Sequence, residues 1–130
     1  MPPDNNTTIA PGADVRFPTT GPTFGTDITR TDFFTFNIVS IGTYQVFFQV
    51  SITEPGQLVV TINGIEQQYT VVGRATGTSQ LVGMSVVETT SGNTLLTIRN
   101  PSGSAASLTI TPIAGGLIPV TAHLIITRIS

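Results

Sequence analysis

Residues 43–72 read TYQVFFQVSITEPGQLVVTINGIEQQYTVV, and this stretch decides the fold. Its first part alternates. Tyr44, Val46, Phe48, Val50 and Ile52 fall on one side of an extended chain, and Gln45, Phe47, Gln49 and Ser51 on the other. A period of two belongs to a β-strand, not a helix. Glu54-Pro55-Gly56 is a turn cluster that stops the run. A second apolar run follows at 57–62, and Asn63-Gly64 supplies the two positive-φ positions that a tight hairpin needs. The run at 65–72 then returns antiparallel.

The same grammar extends in both directions. Strands are expected at 14–18, 33–39, 43–53, 57–62, 65–72, 79–89, 94–100, 107–111 and 119–129, rich in Val, Ile, Thr and Phe. Ser91-Gly92-Asn93, Asn100-Pro101-Ser102-Gly103 and Gly115-Gly116 punctuate them. No window carries a 3.6-residue apolar period. The chain reads as all-β, with short antiparallel strands in a sandwich or barrel-like double sheet. Residues 1–13, rich in Pro and Asn, read as a flexible leader, and 14–130 as one domain.

Composition narrows the function. Of 130 residues 39% are hydrophobic and only 9% charged, against about 25% charged in an ordinary domain. The net charge is −2, and the five basic residues are scattered arginines, so the basic stripe that nucleic acid requires is absent. Cysteine is absent, which removes disulfides and thiolate chemistry. No apolar run reaches the 18 residues of a membrane span, and the leader lacks the apolar region of a signal peptide.

Both faces of three runs are part apolar and almost uncharged. Phe47 interrupts the polar face of 43–53. In 79–89, Val82, Met84 and Val86 oppose Leu81, Gly83, Ser85 and Val87. In 119–129, Val120, Ala122, Leu124 and Ile126 oppose Thr121, His123, Ile125, Thr127 and Ile129. A sheet with one wet face alternates more cleanly than this. Exposed edges are usually blunted by lysine, and the chain has none. The expectation is that another subunit covers one sheet face. The competing reading is a wet Thr/Ser surface carrying stray apolar residues.

Catalytic constellations are not legible. His123 is the one histidine, and no G-x-S-x-G elbow accompanies it. One histidine and no cysteine leave zinc without ligands. The carboxylates are Asp4, Asp14, Asp27, Asp32, Glu54, Glu66 and Glu88. A glycosidase needs two across a cleft, and turn or surface roles suit Asp27 and Asp32 better. No calcium loop and no phosphate loop is present. Overlapping N-x-T sequons at Asn5-Asn6-Thr7-Thr8 lie in the leader. The reading is a non-enzymatic protein with no cofactor and no protein-built metal site.

One resemblance spans roughly residues 14–130. FPTTGPTFGTDITRTDFFTFNIVSIGTYQVFFQVSI, residues 17–52, followed by LVVTINGIEQQY, resembles the C-terminal domain of bacterial collagen-like spore-surface (exosporium, BclA-type) glycoproteins. Those heads belong to the C1q/tumour-necrosis-factor-like jelly-roll superfamily. Carrying the match are F-G-T at Phe24–Thr26 before Ile28–Asp32, T-F-x-I at Thr35–Ile38 and I-G-x-Y-x-V at Ile41–Val46. The hairpin I-N-G at Ile62–Gly64 and the closing S-L-T-I and H-L-I-I-T-R-I runs complete it.

The resemblance implies a two-sheet antiparallel jelly roll of about ten strands and a homotrimer. Phe47, Met84, His123 and Ile125 are then the candidate subunit contacts. It implies a head that nucleates and caps a collagen-like filament on the outer layer of a bacterial spore. Collagen needs three chains held in register, which a trimeric end would supply. The alternative within the same fold is a trimeric adhesin or receptor-binding head with a host-surface protein or carbohydrate ligand. The 101–118 region, PSGSAASLTITPIAGGLI, departs from the family by being longer and richer in Gly and Ala.

Overall fold

In the computed structural model, which describes residues 8–77, 79–110, 115, 117 and 122–130, the alternating run forms the longest central strand. Eleven strands follow in chain order: β1 (Thr8–Ile9), β2 (Ile28–Arg30), β3 (Phe36–Ile38), β4 (Thr43–Ile52) and β5 (Gly56–Ile62). They continue with β6 (Ile65–Glu66), β7 (Val72–Arg74), β8 (Ser79–Glu88), β9 (Thr94–Arg99), β10 (Leu108–Thr109) and β11 (His123–Arg128). All pairings are antiparallel. One sheet has the order β11-β4-β8. The larger one runs β2-β3-β9-β5-β6, with β7 also paired to β5, and β1 and β10 make a separate two-stranded sheet.

The two sheets meet through their inward side chains. Tyr44, Val46, Phe48, Val50 and Ile52 of β4, with Leu81 and Val87 of β8, share one buried cluster with Ile38, Leu58, Val60, Leu96 and Ile98 of the opposite sheet. Each such side chain contributes about 1.5–3 kcal/mol on burial. Gly83 is required here: a Cβ at that position would fall within the Phe48 ring. The Tyr44 hydroxyl donates to the Ser40 carbonyl at 2.7 Å, so the polar end of this buried ring is paired, and burial raises its pKa.

The hairpin expectation holds in detail. Asn63 and Gly64 both have positive φ, 51° and 80°, and join β5 to β6. Other expectations need correction. The run 65–72 is not one strand: a 3₁₀ turn at Gln68–Thr70 splits it, fixed by Thr70 Oγ1 donating to Gln67 O and accepting from Val60 N. The 33–39 run begins later, at Phe36, because Asp32 accepts the Phe34 and Thr35 amides and forms a turn. Residues 14–18 make one bridge, Asp14 to Arg99, and no strand, although Val15 and Phe17 are buried. The strand Ile28–Arg30 lies in a segment without strand-like alternation, and its pairing with β3 defines it.

The domain also reaches further back than residue 14. Within the expected leader, Thr8–Ile9 pair with Thr109 and Leu108, and Ile9 is buried. A single apolar residue inside a Pro/Asn-rich stretch gave no periodic signal. Residues 1–7, with Asp4 and most of the sequon stretch, lie outside the described residues. So do residues 119–121 of the last expected strand, residue 111 and Gly116.

β10 and β11 lie along the same edge of β4. Ile110 bridges Ile52, the Thr53 amide donates to Thr109 O, and pairing resumes with His123 opposite Gln49. Residues 111–122 thus intervene where β4 has only Val50 and Ser51. The surplus length noted at 101–118 falls partly at this interruption.

Candidate functional site

β4 is the middle strand of its sheet, so its register fixes which outward side chains stand side by side. His123, Gln49 and Val82 form one row, Ile125, Phe47 and Met84 the next, and Thr127, Gln45 and Val86 a third. Neighbouring strands lie about 4.8 Å apart, so side chains within a row are in reach of one another. Met84 is 65% exposed, and Val82, Val86 and Ile125 are about half exposed at 47%, 48% and 52%. Phe47 is half-buried at the centre. Gln45 Nε2 donates to Met84 Sδ at 3.1 Å and lies across the patch.

The patch is almost free of charge. His123 is the one titratable group in the three rows, and Glu88 stands beyond them at one end, opposite Thr43. Arg128 turns away from this face: it reaches Asp27 and donates to the Ile41 and Ser130 carbonyls. Ile129, 53% exposed, continues the apolar surface past the last row, its amide donating to Thr43 O. A contiguous exposed apolar patch of this kind marks an interaction surface more often than a bare exterior.

All four residues singled out from the sequence, Phe47, Met84, His123 and Ile125, therefore stand on one face in two adjacent rows. Val82, Val86 and Ile129 join them and had not been singled out. Their signal was present, since Val82 and Val86 share the parity of Met84 in the 79–89 run.

Among the described residues the carboxylates do not converge on a site. Asp14 pairs with Arg99 at 2.8 Å and accepts from Thr97. Asp27 is held below the usual carboxylate range chiefly by the Ser40 hydroxyl, with Arg128 adding to the effect. Asp32 is lowered by the Phe34 amide first and then by Thr35. For Glu54 burial works upward, yet hydrogen bonds from the Thr109 amide and hydroxyl outweigh it and the net shift is downward. Asp32 closes its own turn, while Asp27 ties its loop to Ser40 and to Arg128 of β11. Among the described residues no group of three or more His, Asp or Glu side chains could hold a metal ion, and no helix is long and apolar enough to cross a membrane.

No protein-family model matches this chain, and no curated protein matches it.

Proposed function

We propose that this chain is a non-enzymatic assembly head, a jelly roll that forms a homotrimer through the outward face of the β11-β4-β8 sheet. The observation that carries the reading is the uncharged patch centred on Phe47, with Met84, Ile125, Val82 and Val86 around it. A second copy of the same chain is the partner that removes such a face from water while preserving closed symmetry. The patch calls for a sister copy, and the number three comes from the resemblance to collagen-like spore-surface heads. Support for jelly-roll connectivity lies in the chain path, since β3, β4, β5, β8, β9 and β11 alternate between the two sheets.

In this role the trimer gathers three chain ends and gives a collagen-like stalk its starting register, on the outer layer of a spore. Light scattering at micromolar concentration tests the assembly. The expected mass is about 41 kDa, three protomers of 13.6 kDa. A stable single protomer under those conditions would overturn the proposal.

A further inference from the structure

His123 is the only histidine of the chain, and the chain has no cysteine. Among ordinary side chains, imidazole alone changes its charge between about pH 5 and 8. The ring stands at the start of β11 on the outward face of the β11-β4-β8 sheet. Gln49 is opposite it, Val82 completes its row, and the row of Ile125, Phe47 and Met84 comes next. On a lone protomer His123 is exposed, so water solvates either form of the ring.

The rows around the ring hold no charge that could answer a proton on it. β4 offers Gln49, flanked by Phe47 and Ser51, and β8 offers Val82, flanked by Gln80 and Met84. β10, along the same edge of β4, adds Leu108 and Thr109. Residues 111–121, which lead into β11, contain no Asp, Glu, Lys or Arg. Glu88 stands past the far end of the rows, opposite Thr43, and Glu54 is engaged by Thr109. The ion pairs among the described residues are Arg99–Asp14 and Arg128–Asp27, and neither includes the imidazole.

We propose that His123 makes the assembly pH-dependent, strong where the imidazole is neutral and weak where it is protonated. The inference rests on the sheet-face assembly proposed above. A sister copy lying on this face takes the ring out of water. The neutral ring loses little on entering an uncharged contact, whereas an imidazolium there is a buried charge without a partner. Closed symmetry multiplies the effect, because each of three chains brings its own His123. The assembly therefore holds these protons less tightly than the separate protomers do. Association is complete above the imidazole range and weakens as pH falls through it, by up to about a thousandfold per pH unit for three coupled sites.

The test is sedimentation over a dilution series at about pH 7.5 and about pH 5.5, at one ionic strength, with circular dichroism reporting the fold at both. Carboxylates titrate below this window in their ordinary range. At the lower pH the native chain should need at least about a tenfold higher concentration for half-assembly, with its fold unchanged. His123→Gln, polar and uncharged throughout, should assemble equally at both values. His123→Arg, charged throughout, should be as weak at the higher pH as the native chain is at the lower. A lone protomer at the higher pH overturns the assembly reading and this inference with it. An equally strong trimer at both values, an equal acid loss in His123→Gln, full assembly of His123→Arg, or a loss that follows unfolding overturns this inference alone.

Discussion

The two sheets of this sandwich present opposite solutions to one problem, how an uncharged strand ends its outward face. On the β2-β3-β9-β5-β6 sheet most outward groups are polar and paired, with Thr61 and Thr97 buried, although Leu95 stands exposed there. The Thr61 and Thr97 hydroxyls share a hydrogen bond, Thr97 donates to Asp14, and Asp14 pairs with Arg99, which also reaches the Gly64 carbonyl. Asn37 donates to Asn93, and Asn63 accepts the Leu95 amide. On the β11-β4-β8 sheet, the same positions carry Phe47, Met84, Val82, Val86 and Ile125, with little but the Gln45 contact to Met84 between them. Polar groups that are paired along a face need no partner subunit, whereas exposed apolar rows gain about 25 cal/mol for every Å² they remove from water. On the proposed reading, the difference leaves the apolar face of the β11-β4-β8 sheet to a sister copy.

A charge at the centre of the apolar face, set against one on the opposite sheet, separates these roles most sharply. Phe47→Glu or Met84→Arg should weaken association by about a hundredfold or more, because either would bury an unpaired charge between copies. The readout is mass by sedimentation. A control substitution on the edge strand of the opposite sheet, Thr29→Lys, should leave both mass and stability unchanged within about 0.5 kcal/mol.

Next in size are changes that act on the fold and not on the assembly. Gly83→Ala forces a methyl against the Phe48 ring on the inward side of the β11-β4-β8 sheet. The expected loss is about 1–3 kcal/mol in chemical denaturation. Asp14→Ala removes the acceptor that joins the buried Thr97 to Arg99 on the larger sheet, with an expected loss of about 1 kcal/mol and no change in mass.

The mildest effect concerns acid. Asp27, Asp32 and Glu54 have folded pKa values below their ordinary ones. The folded state then holds these protons less tightly than the unfolded state. Their contribution is complete above the ordinary carboxylate range and is lost as pH falls through the depressed folded values, so melting temperature should decline below about pH 4. Asp27→Asn should reduce that decline, because Ser40 and Arg128 would no longer face a titrating group.

Much of this comparison was legible in the residues alone. The alternation of 43–53 places Phe47 opposite the core stripe, and the parity of 79–89 groups Val82, Met84 and Val86. The Asn63-Gly64 turn fixes its hairpin by local chemistry. Which outward residues form a row was less accessible, since Ile125–Phe47–Met84 depends on register between strands distant in sequence. Short strands were hidden for the same reason. Ile28–Arg30 and Thr8–Ile9 carry too few residues for a period and are strands only through their partners.

Met84 offers the most direct probe of the central claim, since its side chain is 65% exposed on a lone protomer. Its rate of peroxide oxidation, followed by mass spectrometry at micromolar concentration, can be compared between the native chain and Phe47→Glu. Sister copies covering the face predict slow oxidation in the native chain and fast oxidation in the variant. Equal, fast oxidation in both would mean that this face lies open to water, and the assembly account would be wrong.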